Sequence, residues 1–420
     1  MCDETLAIAG GSPVATESFP SPWLGPAEIG EEEVEAVAAV VRSKSLFRFL
    51  DHENSKCTQL ENLFKGMTGC EHALAVGGGT AALICGLVGI GIGDGDEVIV
   101  PAFTYIASAS AVLICGAVPV LAEIDESFTI DPEDIERKIT PRTKAIMPVH
   151  MRGIPCDMDR ILDVARRHNL LVIEDCAQAC GGRYKGRALG SLGDVGCFSL
   201  QQYKVITAGE GGVIVTGRRE VFERAAIRHD SAMCFWNPAD TTIGPFPGEN
   251  CRMNEMEGAL GCVQFGRMAG ILKRTRALYR RIHEGIADCP GIQPHRSPDP
   301  EGDCGIAVAV LLESGDRARR FAEALNAEGI PAASIYDRGI PDRHIYCYWE
   351  YVMEKRSSDA HGRPWTSPLH DVSRQYRPDM CPRTLDILGR AVIISLAQTF
   401  EDRHAEWIIC GIRKVAQGVR

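Results

Sequence analysis

The chain has 420 residues, 45% of them hydrophobic and 24% charged, which is enough for one large globular domain and a smaller one. Its formal net charge of −11 argues against nucleic acid as a partner, because binding to a phosphate backbone requires a basic face. The N-terminal residues MCDETLAIAGGSPVATESF contain neither a basic start nor a long apolar run, so we expect a cytoplasmic protein without a membrane partner.

Seventeen cysteines are spread through the chain, several of them in apolar stretches such as ALICGLVGI and AVLICGAVPV. A cysteine in such a stretch is typically a small buried hydrophobic residue. Cys176 and Cys180 stand four residues apart, but no second pair follows at the spacing of a zinc site. The sequence therefore predicts no bound metal.

Residues 1–30 form an irregular arm rich in proline and glycine, and the first helix is predicted over 31–42, where apolar residues recur at helical spacing. From there predicted strands and helices alternate. The predicted strands are DEVIVP, VPVLAEI, KAIMPVH, NLLVIED, CFSL and GGVIVT, and the helices between them are TAALICGLVGI, ASASAVLICGA, 131–138 and 157–168. Strands separated by helices of this length predict a mainly parallel sheet covered on both faces.

The predicted large domain spans residues 31–272 and ends with a helical stretch over 253–272. Residues 273–420 mix helical and strand patterns, which predicts a smaller C-terminal α/β domain. Within it, a polar stretch over 356–382 contains several prolines and predicts a long loop or insertion.

Three glycines and a threonine in VGGGTAAL, residues 76–83, lead directly into an apolar helix. Such a helix N-terminus offers unpaired backbone N–H groups, and the glycines let an anion come close. The segment lacks the Gly-Lys-Ser/Thr ending of a P-loop, so it indicates a phosphate site without a nucleoside triphosphate, or else a flexible helix cap. A second glycine cluster, residues 89–98, leaves a helix and enters a strand, which is the reverse of a dinucleotide-binding motif.

Two further segments carry candidate chemistry at strand ends. In VIEDCAQA, Asp175 and Gln178 follow a strongly apolar strand, and in open parallel sheets ligands bind beyond the carboxyl ends of strands. A buried aspartate needs a cationic partner, which a protonated pyridine nitrogen would supply. In CFSLQQYKVITAGEGGVIVT, Lys204 follows a short apolar strand, and a lysine whose pKa is lowered there can react with an aldehyde.

Taken together, these segments resemble the DegT/DnrJ/EryC1/StrS family of sugar and aminocyclitol aminotransferases, which depend on pyridoxal 5'-phosphate (PLP). The resemblance extends over nearly the whole chain. Its motifs, in order, are GGGTAAL, GDEVIVPAFTYIASA, PVLAEID, VHMRGIPCDMDRI, VIEDCAQACGGRYKGRALGSLGD, FSLQQYKVITAGEGG and GENCRMNEMEGALG. The resemblance implies the fold-type I (aspartate aminotransferase-like) architecture, with a seven-stranded type of sheet between helices, and a homodimer with PLP at the domain and subunit interface.

The resemblance also implies residue roles. Lys204 would form the covalent link to PLP and move the proton during transamination. Asp175 would hold the pyridine nitrogen protonated so that the ring acts as an electron sink. Gln178 would lie near the ring oxygen, and Tyr105 would stack on the ring, unless it is a core aromatic residue.

For the PLP phosphate, the resemblance implies a cradle of Gly79, Thr80 and Ser199, with Asn250 reaching it from the partner subunit. The family commonly has Asn-Ser before the Gly-Thr pair, where this chain has Gly77 and Gly78. Backbone donors would then carry more of the phosphate contact.

Other departures concern the substrates. Gln202 and Tyr203 stand before Lys204, and the Gln-Gln pair is similar to the branch acting on ketocyclitols of aminoglycoside pathways, whereas Tyr203 is bulkier than the Ser or Thr expected there. The family's C-terminal His-Pro is absent, so the donor carboxylate site is open. The aromatic segments 344–352 and 361–368 either line the acceptor pocket or pack within the small domain. Candidates to meet a carboxylate or phosphate, or to form structural salt bridges, are Arg252, Arg383 and Arg390.

By resemblance, the amino donor is L-glutamate or L-glutamine, and the acceptor is a free or nucleotide-linked ketosugar or a ketocyclitol, in the biosynthesis of cell-surface glycans or antibiotics. Two alternatives stay open. One is a dehydrating or aromatising PLP enzyme, although the dehydratases of the family typically carry His where Lys204 stands. The other is a PLP-binding regulator without turnover.

Overall fold

The computed structural model of the chain describes residues 5–51, 53–231, 241–337 and 340–419. The α-helices of these residues are α1 (Glu31–Ser43), α2 (Lys56–Thr68), α3 (Gly79–Gly89), α4 (Ala107–Ile114), α5 (Pro132–Lys138), α6 (Met158–His168), α7 (Arg219–His229), α8 (Glu255–Ile286), α9 (Gly315–Ala327), α10 (Glu350–Met353), α11 (Pro382–Gly389) and α12 (Asp402–Gly418). Among them, no helix is both long enough and apolar enough to cross a membrane.

The strands fall into three sheets. They are β1 (His72–Val76), β2 (Glu97–Pro101), β3 (Val118–Ala122), β4 (Thr143–Ile146), β5 (Leu171–Asp175), β6 (Arg183–Tyr184), β7 (Arg187–Ala188), β8 (Val195–Ser199), β9 (Gly212–Thr216), β10 (Gln293–Pro294), β11 (Ala307–Leu311), β12 (Ala333–Ser334) and β13 (Ala391–Ser395). The large sheet has seven strands in the order β1-β9-β8-β5-β4-β2-β3, and a four-stranded sheet has the order β10-β11-β13-β12.

The large sheet is parallel except for β9, which runs antiparallel to both of its neighbours, β1 and β8. Alternate residues of each strand enter two separate hydrophobic clusters; Ile99 belongs to one, and Val98 and Val100 to the other. Because successive side chains of a strand point to opposite faces, the two clusters cover both faces of the sheet. This confirms the predicted α/β architecture, a mainly parallel sheet between helices.

Most of the predicted elements are confirmed, but the predicted end of one helix is wrong. The helix predicted over 253–272 is α8, which runs from Glu255 to Ile286. Its second half keeps an apolar stripe, with Leu278, Ile282 and Ile286 buried, so nothing ends the helix at residue 272. The predicted division between residues 272 and 273 falls inside α8, and the domain boundary stays a prediction. Elements missed from the sequence are α2, β1 and α7.

The N-terminal arm contacts helices α8 and α9 and reaches the site described below. The Glu328 carboxylate, buried at the end of α9, accepts hydrogen bonds from the N–H groups of Ala7 and Val14. Further along, the Gly25 N–H donates to the Lys204 carbonyl at 3.3 Å. The predicted loop over 356–382 is confirmed up to residue 381, since no helix or strand lies between the end of α10 at Met353 and the start of α11 at Pro382.

The close packing of β8 yields a test of the fold. A Cβ added at Gly196 would lie 2.3 Å from the Gly190 carbonyl oxygen, and both atoms belong to backbone that cannot turn aside. We expect Gly196→Ala to lower the free energy of unfolding by about 2 kcal/mol or more. Chemical denaturation followed by circular dichroism measures the change.

The matched control is Gly66→Ala in the exposed last turn of α2, where a Cβ would meet nothing within 4 Å. We expect that change to raise the free energy of unfolding by about 0.5–1 kcal/mol, because alanine favours the helix more than glycine does. Equal effects of the two substitutions would contradict the packing described for β8.

Candidate active site

A cavity of about 900 Å³ opens at the carboxyl ends of the parallel strands. Its walls come from the segments that follow β1, β2, β4, β5 and β8, because strands running in one direction deliver their ends to one edge of the sheet. The structure brings all of the site residues predicted from the sequence to this cavity: Gly79, Thr80, Tyr105, Asp175, Gln178, Ser199, Lys204 and Asn250.

Asp175 ends β5 and has a buried carboxylate. Its Oδ2 accepts a hydrogen bond from the Ser108 hydroxyl at 2.8 Å, and its Oδ1 accepts one from the Ala177 N–H at 3.0 Å. Burial raises the pKa of Asp175 above its ordinary value, while these two donors and the nearby Lys204 oppose the rise. The carboxylate is therefore held by neutral donors and faces the cavity without a cation in contact with it among the described residues.

Behind Asp175 lies a buried pair, His150 and Glu174, that the sequence did not single out. His150 Nδ1 accepts from the Cys156 N–H at 3.1 Å, so its Nε2 carries the hydrogen and donates to Glu174 Oε2 at 3.1 Å. Glu174 also accepts from three backbone N–H groups, those of Gly190, Leu192 and Gly193. With its lone pairs occupied in this way, Glu174 braces the loop after β7 against the end of β5.

His150, Glu174 and the Cys176 sulfur also lie within 4.8 Å of one another, an arrangement compatible in distance with a metal ion. The hydrogen bonds of His150 and Glu174 use the atoms that would bind the ion. Glu174 adjoins Asp175 in the sequence, but alternation along β5 sends the two side chains to opposite faces. The sequence signal that would have found the pair is the acidic doublet in VIEDCAQA combined with the histidine of VHMRG.

Lys204 lies in the turn after β8, where its N–H donates to the Gln201 carbonyl at 3.0 Å. Burial lowers the pKa of Lys204, and the positive charge of Arg152 lowers it further, while Asp175 and Glu210 act in the opposite direction. Within the described part of the chain, no hydrogen bond or ion pair holds its ammonium group. The amine is thus poised to be neutral more often than a surface lysine.

The glycine segment forms the cradle predicted for an anion. Helix α3 begins at Gly79 without a side-chain cap, so its first N–H groups point outward. A Cβ at Gly79 would lie 2.7 Å from Cβ of Ser199, whereas one at Gly78 would meet nothing within 4 Å. Gly79 is therefore required for packing, and the space beside Gly78 is the room that an anion needs.

Gln178 and Tyr105 both line the cavity. Gln178 Oε1 accepts from the Arg152 N–H at 3.1 Å, which leaves its NH₂ group to donate into the cavity. Tyr105 is 44% exposed, so it is not a core aromatic residue, and its ring lies 5.4 Å from that of His344, which also lines the cavity. Asn250 is exposed and lines the cavity of its own chain, and its predicted contact across a subunit interface stays a prediction.

The arginines singled out from the sequence lie in salt bridges. Arg252 pairs with Asp230 at 2.5 Å, Arg383 with Asp131 at 2.6 Å, and Arg390 with Asp386 at 2.8 Å, and the cavity lining includes none of the three. The aromatic residues Tyr346, Trp349 and Trp365 of segments 344–352 and 361–368 are buried in the core, whereas His344, at the start of the first segment, lines the cavity. The arginine that does line the cavity is Arg152, which the sequence did not reveal.

Comparison with known proteins identifies relatives of the chain. GDP-perosamine synthase of Caulobacter vibrioides is 48% identical over 211 residues, which are 50% of this chain and 56% of that protein. L-glutamine:2-deoxy-scyllo-inosose aminotransferase of Micromonospora echinospora is 34% identical over 366 residues, covering 82% of this chain and 84% of that protein. The chain thus spans only about half of the first relative but most of the second.

The solved structure of the aminotransferase from Psychrobacter cryohalolentis is similar in fold, with a TM-score of 0.79 and 28% identity over 96% of this chain and all of that one. A sequence model of the DegT/DnrJ/EryC1/StrS aminotransferase family matches residues 27–372. With the motifs, the fold and the cavity in agreement, the chain belongs to the DegT/DnrJ/EryC1/StrS aminotransferase family.

Proposed function

We propose that this aminotransferase uses PLP to transfer an amino group from L-glutamate or L-glutamine to a ring ketone of a sugar or cyclitol. The observation that carries the proposal is the meeting of Lys204, the buried Asp175 carboxylate and the glycine cradle in one cavity. Among the described residues, each of these features has an unmet chemical requirement: the Lys204 amine has no hydrogen-bond partner, the buried Asp175 carboxylate has no cation in contact with it, and the N-terminus of α3 has no side-chain cap.

The residues of the cavity fit PLP. The space beside Gly78 and the N–H groups of α3 would receive its phosphate, with the Ser199 hydroxyl, which lies next to Gly79, as a further donor. Asp175 would pair with the protonated ring nitrogen, and Tyr105 would cover the ring. When bound, PLP supplies an electron-withdrawing ring that stabilises negative charge on the carbon bonded to the transferred nitrogen.

The lowered pKa of Lys204 lets its Nζ serve as a base at lower pH than a surface lysine would. We infer that Nζ removes the proton from the donor α-carbon and returns a proton during the exchange. Asp175, fixed by Ser108 and Ala177, keeps the positive charge on the ring side of the cavity. The Gln178 NH₂ group would hold the cofactor's ring oxygen and so orient the ring toward Lys204.

Two exposed aromatic residues suit the acceptor: Tyr203, which lines the cavity, and Trp23, which lies between the lining residues Pro22 and Leu24 in the chain. Trp23 from the arm is 46% exposed and Tyr203 is 66% exposed, and their ring centroids are 6.4 Å apart. Aromatic rings left open to water beside a cavity are typical of sites that bind a sugar or cyclitol ring. The relatives named for a GDP-linked amino sugar and for an aminocyclitol support both acceptor classes.

The first test follows the cofactor absorbance of the purified protein with PLP. We expect L-glutamate or L-glutamine to abolish the band of lysine-bound PLP and to yield the matching 2-oxo acid in one-to-one ratio with the cofactor. Lys204→Ala should lack that band and slow the exchange by a factor on the order of 10³, because the base is lost. The surface substitution Lys144→Ala serves as the control and should leave the absorbance band and the exchange rate unchanged.

The acceptor is then identified by incubating the amino-loaded protein with a nucleotide-linked ketosugar, a free ketosugar or a ketocyclitol, and detecting the aminated product by mass spectrometry. Loss of water instead of gain of nitrogen would favour the dehydrating alternative. A protein that keeps its band with every donor would favour a regulator. A normal lysine-bound band in Lys204→Ala would show that the lysine assignment is wrong.

The electrostatic coupling of Asp175 and Lys204 can be measured without the cofactor. Removing the negative charge in Asp175→Asn should lower the pKa of Lys204, because that charge favours the ammonium form. The pH dependence of reductive methylation of Lys204, followed by peptide mass spectrometry, should therefore shift to lower pH. Asp163→Asn on the exposed face of α6 is the control, and an unchanged or raised midpoint would contradict the arrangement described.

We also propose that the chain acts as a homodimer in which Asn250 reaches the PLP phosphate of the partner subunit. Asn250 is exposed, and within the described residues its side chain makes one long hydrogen bond, accepted from the Arg252 N–H at 3.4 Å, so its amide is available. A contact in trans would make the dimer necessary for tight PLP binding.

Complementation between two variants distinguishes an Asn250 that acts in the partner's site from one that acts in the site of its own chain. Lys204→Ala and Asn250→Ala subunits are each expected to be impaired, and mixing them should restore one complete site per hybrid dimer if Asn250 acts in trans. That site would combine Lys204 of one subunit with Asn250 of the other. Absence of recovery in a confirmed hybrid dimer would instead place Asn250 in the site of its own chain.

A further inference from the structure

Arg152 occupies a turn with an unusual backbone conformation. It lies in the 3₁₀ turn Met151–Gly153 after β4, with φ of 55° and ψ of 27°. A residue with a side chain adopts this left-handed region at a cost, and such residues cluster at ligand sites. The Arg152 N–H donates to Gln178 Oε1 at 3.1 Å, which holds the turn at the cavity wall.

The charge of Arg152 lacks a partner among the described residues. Its Nε is buried and makes no hydrogen bond, and no carboxylate oxygen of those residues lies within 4.0 Å of its guanidinium. Asp342 attracts it from further away, but that carboxylate already accepts from the N–H and the ring of His344, at 2.9 and 2.8 Å. A half-buried cation in this state calls for an anion from outside the chain.

We infer that Arg152 binds the α-carboxylate of the amino donor. The inference rests on the proposed function, since a transaminase must hold an amino acid with its amino group at the reacting lysine. It assigns a donor carboxylate site to a chain whose other candidate arginines, Arg252, Arg383 and Arg390, lie in salt bridges.

The position of Arg152 favours the donor over a phosphate of the acceptor. Arg152 lines the same cavity as Lys204 and Gln178, and its positive charge acts on the Lys204 ammonium, so an amino acid whose nitrogen replaces the lysine nitrogen shares that cavity with Arg152. The α-carboxylate is one bond, about 1.5 Å, from the donor α-carbon. In a nucleotide-linked sugar, the diphosphate is several bonds from the ring ketone and would lie further out.

Binding is tested with α-methyl-L-glutamate and α-methyl-L-glutamine, which lack the proton that transamination removes. Calorimetry should show that Arg152→Gln weakens their binding to the PLP-loaded protein by roughly 10- to 100-fold, the range expected for hydrogen bonds between charged groups. Arg152→Lys keeps the charge but not the planar guanidinium, so its affinity for these donors should lie between that of the wild type and that of Arg152→Gln. Arg166→Gln on exposed α6 is the control and should bind as the wild type does.

Decarboxylated donors test the carboxylate directly. The wild type should strongly prefer L-glutamate over 4-aminobutyrate, or L-glutamine over 4-aminobutanamide, and Arg152→Gln should lose most of that preference. The KM of the acceptor should stay unchanged. Retention of the PLP band and of the melting temperature in Arg152→Gln shows that the variant is folded.

The outcomes separate this inference from the proposed function. If the wild type transaminates and Arg152→Gln binds the α-methyl donors equally well, only the Arg152 inference is overturned. A raised KM confined to nucleotide-linked acceptors would also overturn it, by placing a phosphate at Arg152. If the wild type binds the donors through Arg152 but never transaminates, the carboxylate site stands and the proposed function fails.

Discussion

A carboxylate is costly to bury without a cation, and Asp175 is buried at the end of β5 with only neutral donors in contact with it. Much of the site is arranged around this buried negative charge. Lys204 is brought opposite by the pairing of β5 with β8, in which Asp175 lies across from Cys197. The glycines at the start of α3 also line the cavity, and because they have no side chains they leave its space open. A cationic heterocycle bearing a phosphate would pair its positive charge with Asp175 and its phosphate with the N–H groups at the start of α3.

The cavity contains two cationic side chains, Lys204 and Arg152, that are suited to different tasks. Lys204 is half-buried with a lowered pKa, so it is suited to give and take a proton. Arg152, two positions after His150, keeps a fixed charge on a strained turn and is suited to hold an anion in place. Each cation lowers the proton affinity of the other, because like charges repel. A donor carboxylate bound at Arg152 would therefore also raise the affinity of Lys204 for the proton it removes.

Support for the site comes from elements distant in the chain. The N-terminal arm contributes Leu24 to the cavity and hydrogen-bonds through Gly25 to the Lys204 carbonyl. Glu174 braces the loop after β7 with three backbone N–H groups and His150. These contacts restrict the motion of the groups that carry the chemistry, as preorganised sites require.

The sequence by itself determined the parallel α/β sheet, since buried strands read as continuous apolar runs, and it determined the ordered motifs that contain Asp175 and Lys204. Only the tertiary structure showed that Arg252 lies in a salt bridge while Arg152 faces the cavity, because ion pairing joins residues with no fixed sequence spacing. It also decided that α8 continues past residue 272, where the apolar stripe finds a core to pack against. The local hydrophobic pattern of the sequence specifies helices and strands. Which side chains are buried and which charges pair depends on which helices and strands come into contact in the folded chain.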